Sequence, residues 1–203
     1  MNDLDVLLSV ALGTGLAAAV GLRVFLPLFV MSIAAHSGHL ELSGQFEWLA
    51  TLPAMVMLGV AATLEVLAYY FPGVDNLLDT IATPAAILAG TVAAVAVMTD
   101  LPPIVKWTAA VIAGGGAAGL TQSVTALLRA KSTVTTGGLA NPVIATGELG
   151  GSLLVAILAI AAPLIALIVI VLFVWLGVRL VRRLRPPHPP PAPSPPHAGE
   201  RQG

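Results

Sequence analysis

The chain has 203 residues, 57% of them hydrophobic and only 9% charged, with a formal net charge of −1 and no cysteine. A soluble domain carries about a quarter charged residues. Polar groups this sparse cannot cover a water-facing surface, so the composition excludes an ordinary soluble fold. The near-neutral charge argues against a nucleic-acid partner. The lack of cysteine excludes disulfides, thiolate metal sites and cysteine nucleophiles. Ala, Leu, Val and Gly supply the apolar content, and small residues let transmembrane helices approach closely. The expected fold is an all-α integral membrane protein in the lipid bilayer.

In chain order, Met1 to Asp5 is acidic, which is wrong for a secretory signal peptide. The first apolar block therefore reads as part of the mature protein. It runs from Val6 to Ala35 and is interrupted by Gly13, Gly15, Gly21, Arg23 and Pro27. His36 to Glu47 reads as a polar loop, with His36 and His39 too few and poorly placed for a metal site. Further blocks run from Trp48 to Phe71, Leu77 to Met98 and Ile104 to Leu128. The turns between them are Phe71-Pro72-Gly73 and Asp100-Leu101-Pro102-Pro103.

Arg129 to Pro142 is rich in Thr and Gly and reads as a loop, with Asn141 capping the next helix and Pro142 in its first turn. The last block, Pro142 to Leu180, exceeds the roughly 20 residues of one span. It admits two short spans joined near Ala161-Ala162-Pro163, a half-helix followed by a span, or one kinked helix. Residues 1–185 thus form a transmembrane domain of about six helices. Residues 186–203 form a proline-rich tail, expected to be disordered and cytoplasmic.

Arg179, Arg182, Arg183 and Arg185 place the end of the last span in the cytoplasm. Six spans would also put Arg129 and Lys131 inside, leaving Lys106 outside. That count favours both termini in the cytoplasm, in a bacterial inner (plasma) membrane.

Short matches suggest an internal repeat. Gly13 to Leu22 resembles Gly114 to Leu120, Ala62-Thr63-Leu64-Glu65 resembles Ala145-Thr146-Gly147-Glu148, and the Pro84 span corresponds to the Pro163 span. Two inverted three-helix repeats, with a re-entrant segment, are a transporter-type architecture. Shared membrane composition is the alternative explanation.

Charge inside apolar blocks carries the most information, because each ionised group at a helix centre costs about 2.5–3.5 kcal/mol to insert. Arg23, Glu65, Asp79 and Glu148 are such groups, with Glu65 or Glu148 the natural partner of Arg23. They bind a polar solute, ion or proton, or they form a structural ion pair. Asp75, Asp79 and Thr83 share one helix face at i, i+4 and i+8, where Asp75 serves best as a helix cap. Gln122, Thr125 and Arg129 make a second polar stripe, read first as interhelical packing. Gly115 and Gly119 mark a close helix contact. The loop containing Thr135 and Asn141 either lines a polar cavity or stays in the cytoplasm.

Several stretches are similar to one known family. Gly21-Leu22-Arg23-Val24-Phe25-Leu26-Pro27-Leu28, the run from Glu65 to Thr80, the loop from Ser132 to Pro142, and Glu148 to Ser152 resemble domain of unknown function 4126. The resemblance implies a bacterial multi-pass membrane protein and brings no activity, cofactor or site residue with it.

No nucleophile–base motif, phosphate loop or dinucleotide pattern is present, so neither enzyme activity nor a cofactor is expected. The leading reading is a small transporter- or channel-like protein for a solute or ion. Its candidate polar pathway is Arg23, Glu65, Asp75, Asp79, Gln122, Thr135, Asn141 and Glu148. The alternative is a structural or assembly protein that binds protein or lipid partners. A homo-oligomer is open under both readings.

Overall fold

The computed structural model describes residues 3–70, 74–99 and 101–183, without the side chains of 74–80 and 181. The proline-rich tail and the expected turn at Phe71-Pro72-Gly73 lie outside the described residues. Eight α-helices follow in order: α1 (Asp3–Leu22), α2 (Phe25–His36), α3 (Leu52–Ala68), α4 (Val74–Val97), α5 (Pro103–Ala109), α6 (Gly116–Thr136), α7 (Asn141–Ala161) and α8 (Pro163–Arg183). A 3-10 helix (Gly44–Ala50) precedes α3, and a π-helical stretch (Ala110–Gly115) joins α5 to α6 as one long rod.

Helix ends follow local chemistry. The Thr51 side chain accepts from the Ala54 N–H to start α3. Gly137, at φ +64°, ends α6 in the left-handed conformation that glycine adopts without penalty. Pro142 falls in the first turn of α7, as expected, although Ala140 and not Asn141 is the N-cap.

Four helices among the described residues are long and apolar enough to cross a membrane: α1, the α5–α6 rod, α7 and α8. The 3-10 helix and α3, bent by 69°, make a fifth if taken together. The described apolar part of α4, Ile81–Val97, is shorter than the others. Six spans are therefore not shown.

The last apolar block resolves as two helices broken at Ala162, which has φ −151° and ψ 73°. They fold back on each other, since a Cβ on Gly15 would meet both Ala159 and Ala166. The first block, by contrast, is not one span. It breaks at Arg23 and Val24 into α1 and the 12-residue α2. The supposed Arg129–Pro142 loop is mostly helix, because α6 continues to Thr136.

The bundle is built around α1. Ala17, Ala18, Ala19 and Val20 have no exposure, and α4, α6, α7 and α8 all pack against this helix. Large apolar side chains point outward instead, Met57 and Ile112 at 71% exposure and Leu88 at 69%. An outside this apolar belongs in lipid, where burying it inside would gain nothing. The close approaches use glycine. A Cβ on Gly21 would collide with Thr121 and the Ala118 carbonyl, and one on Gly90 would collide with Ala118. Gly115 and Gly119 face Thr91 and Ile87 of α4, the close contact their spacing predicts.

Residue pairings fix the direction of each helix. Gly13 lies against Ala94 and Met98, and Gly90 lies against Ala17, so α4 is antiparallel to α1. Gly114 meets Ala17 and Gly21 meets Ala118, so α6 runs parallel to α1. Ser152 bonds the Ala19 carbonyl while Arg23 bonds that of Ala145, so α7 is antiparallel. Gly177 packs on Val124 and Ala166 on Gly15, which makes α8 parallel to α1 and α6. After the break at Arg23 the chain returns, because the Ser43 N–H donates to the Ala96 carbonyl at 2.7 Å. One end of the bundle thus holds Asp3, the 37–50 segment and the start of α5. The other holds Arg23, the end of α3, the α6–α7 turn and Arg183.

Two expectations find no support here. Asp3 and Arg183 lie at opposite ends of the bundle, because the break at Arg23 inserts one extra return of the chain. The repeat matches also fail to define one inverted repeat. The matched segments of α1 and α6 run parallel, whereas those of α3 and α7, and of α4 and α8, run in opposite directions.

Gly21→Ala should destabilise the protein by about 1–3 kcal/mol, the usual cost of overpacking. Gly116→Ala, whose Cβ would meet nothing within 4 Å, should leave thermal unfolding in detergent unchanged. Equal melting of the two variants would contradict the α1–α6 contact.

Candidate functional site

The break after α1 is where the buried charges gather. Arg23 follows the C-terminal end of α1, where unsatisfied carbonyls favour a cation. The N–H groups that open α2 favour an anion for the same reason. Glu65 of α3 supplies it: Oε1 accepts from the Val24 N–H at 2.6 Å and Oε2 from the Phe25 N–H at 2.9 Å. One helix end thus carries a cation and the next a carboxylate from a different helix.

Arg23 itself is 2% exposed. Its Nη2 donates to the Ala145 carbonyl at 2.9 Å and lies 3.5 Å from Glu148 Oε2. The tighter partner of Glu148 is Arg129, whose Nη2 donates to the same oxygen at 2.7 Å. Both guanidinium groups lie against the Tyr69 ring, 3.9 Å for Arg23 and 4.3 Å for Arg129. Contacts of this kind strengthen when water is excluded. Arg129, Glu148 and Tyr69 are all buried.

Helical periodicity places these groups. On α7, Asn141, Ala145, Glu148 and Ser152 are spaced i, i+4, i+7 and i+11, and all four are buried on one face. On α6, Gln122, Thr125 and Arg129 form the corresponding face. Asn141 Nδ2 donates to Thr133 Oγ1 at 3.2 Å and ties the two helices together near their turn. Seven residues of helix separate Arg129 from Thr136, about 10 Å at 1.5 Å per residue. The cluster therefore sits roughly two turns in from the α6–α7 turn.

Of the residues singled out from sequence, Arg23 and Glu148 meet directly, and Glu65 binds the backbone next to Arg23. Gln122 is 2% exposed on the stripe that carries Arg129. Asn141 lies two turns from Glu148. Thr135 lies elsewhere: it is exposed and its hydroxyl donates to the Lys131 carbonyl of its own helix. Asp75 and Asp79 fall in the first turns of α4, but their side chains lie outside the described residues. Arg129, read from sequence as the end of a packing stripe, and Tyr69, not singled out as a site residue, are both central. Tyr69 follows Glu65 by i+4, and that spacing was the available signal.

Two cavities adjoin the cluster. One, of about 320 Å³, lies between α1, α6, α7 and α8 and is lined by Leu22, Thr125, Glu148, Leu154, Ile170 and Phe173 among others. The other, of about 470 Å³, lies between α2, α3 and α4, with Glu65 and Tyr69 in its wall. No group of three or more His, Cys, Asp or Glu side chains suited to a metal ion occurs among the described residues.

An all-helical bundle with large apolar side chains outside, small residues inside and a buried charge cluster defines a helical membrane protein. The chain belongs to the family described as domain of unknown function (DUF4126), whose model matches residues 10–183. No curated protein and no solved structure matches it.

Removing the Glu65 carboxylate should loosen the start of α2. Glu65→Ala should cost about 1.5–3 kcal/mol, the worth of hydrogen bonds to a charged group, and Glu65→Gln less. Thermal unfolding in detergent measures both. Unchanged melting of Glu65→Ala would show that the carboxylate does not hold the break.

Proposed function

We propose that this protein is a transporter- or channel-like membrane protein that passes a small polar solute or ion along the cluster of Arg23, Glu65, Arg129 and Glu148. The observation that carries this reading is the meeting of Arg23, Arg129 and Glu148 beside Tyr69, all within the helix bundle and flanked by two cavities. Ionised groups at such positions are costly, and in membrane proteins they mark solute, ion or proton paths. The break between α1 and α2 adds to the reading, since interrupted helices whose ends face charged groups recur at transporter binding sites.

Flux into proteoliposomes, screened over protons, alkali cations, halides and small carboxylates, tests it. The wild-type chain should exceed empty vesicles for at least one of these. Glu148→Gln should lower that flux at least ten-fold per folded molecule. Because Glu148→Gln breaks a buried pair, Arg23→Lys, which keeps the charge, serves as a second variant and should also lower the flux per folded molecule. Wild-type flux no higher than empty vesicles across the panel overturns the reading.

A second reading, a structural or assembly protein, draws on the tight Arg129–Glu148 pair and the apolar outer face of α3. An ion pair of this kind also fixes helix register. That reading predicts co-purification with a fixed partner and no flux.

We also propose an orientation. Asp3, Asp5, Glu41 and Glu47 are exposed at one end of the bundle, with Lys106. Lys131, Arg179, Arg182 and Arg183 stand at the other. The positive-inside rule then puts the C-terminal end in the cytoplasm and Asp3 outside, with α2 and α4 as further crossings. The chain has no native cysteine, so single-cysteine labelling is unambiguous. In spheroplasts, an impermeant maleimide should label Asp3→Cys and Ser37→Cys, and should label Leu139→Cys only after permeabilisation. Protection of Asp3→Cys together with Leu139→Cys would restore both termini to one side.

A further inference from the structure

Arg23 is incompletely satisfied. Its Nη2 has the Ala145 carbonyl, and its contact with Glu148 at 3.5 Å is longer than a hydrogen bond. Its Nε and Nη1 are buried without any hydrogen-bond partner, and so is Nε2 of Gln122. All three atoms are donors. Gln122 lies on the turn of α6 that meets the end of α1, where Thr121 bonds the Ala18 carbonyl and crowds Gly21. Buried donors left unmade are expensive. Donors without acceptors, headed by a guanidinium, suit a group rich in acceptors, and an oxyanion matches the planar guanidinium best.

The adjoining cavity supplies the other half of the chemistry. Glu148, which contacts Arg23, is one of its lining residues, and Leu22, one residue before Arg23, is another. The rest of the wall is almost wholly apolar, including Leu154, Val155, Ile170 and Phe173. The volume of about 320 Å³ holds on the order of ten water-sized groups at about 30 Å³ each. An apolar chamber with a charged end beside it fits an apolar chain that ends in a charged head.

We propose that the solute taken at this cluster is an anionic amphiphile: a carboxylate or phosphate ester whose head engages Arg23 and Gln122. Its alkyl chain of about ten carbons lies in the cavity between α1, α6, α7 and α8. This rests on the reading of the cluster as a solute site and names the class of solute. The head competes with Glu148 for Arg23 at its weaker contact, while the Arg129–Glu148 pair stays closed.

The test is binding to the full chain in nanodiscs by titration calorimetry. The probes are decanoate and decyl phosphate, against acetate and inorganic phosphate. Decanoate or decyl phosphate should bind at least ten-fold more tightly than its short counterpart, and the better of the two identifies the head. Gln122→Leu removes a donor that has no partner, so it should fold, and it should weaken binding about five-fold. Gly147→Leu adds bulk at the cavity wall, where a Cβ meets nothing within 4 Å. It should weaken the ten-carbon probes at least ten-fold.

Equal affinity for long and short probes, unchanged by Gly147→Leu, overturns the chain-binding part and leaves a small-anion site. No binding of any of the four probes overturns the anion proposal. Flux of a cation or proton that is sensitive to Arg23→Lys would then show the pathway reading surviving on its own.

Discussion

The structure turns on one constraint: an ionised side chain inside a bilayer must find its counter-charge within the protein. Arg23 meets that constraint at the place where α1 stops. The break leaves the amides that open α2 without helical partners, and Glu65 of α3 accepts from two of them, while the Arg23 guanidinium turns to the Ala145 carbonyl of α7. The turn back of α2 follows from this break, and so does the placement of α3 beside it. Glu148 and Arg129 then close the cluster from the α6–α7 hairpin. Small residues along α1 make the convergence possible, since Gly21 lets α6 approach close enough to bring its polar stripe to the end of α1.

Much of this was legible in the sequence. A charged residue inside an apolar block announces a partner, and the sequence offered Glu65 and Glu148 for Arg23. Both lie at the same break, one on its backbone and one near its guanidinium. The last block was too long for one span, and of the three arrangements its length admits the structure shows two helices broken at Ala162. The family resemblance rested on the same motifs that build the cluster, and the family model covers them.

What stayed hidden has physical causes. The α1–α2 break depends on a cap from a helix forty residues away, which no local pattern reveals. The length of α6 beyond Arg129 is hidden because Ser132 to Thr136 reads as polar and flexible. In the structure those hydroxyls turn inward on the helix: Thr133 bonds the Arg129 carbonyl and Thr136 that of Ser132. Side chains so engaged do not compete with the helix, and α6 runs two turns past Arg129. The repeat matches are not confirmed: Gly13–Leu22 and Gly114–Leu120 pack on each other in parallel, and shared packing chemistry accounts for small residues in both.

The central claim is that Arg23, Arg129 and Glu148 form one closed cluster in the membrane. Solid-state NMR on the protein in lipid bilayers, with carbon–nitrogen dipolar recoupling between the Glu148 carboxyl and arginine side-chain nitrogens, reads this directly. A strong coupling to Arg129, matching a 2.7 Å nitrogen–oxygen contact, with a weaker one to Arg23, is the result predicted. Loss of both couplings, with the Glu148 carboxyl exchanging freely with bulk water, would contradict it.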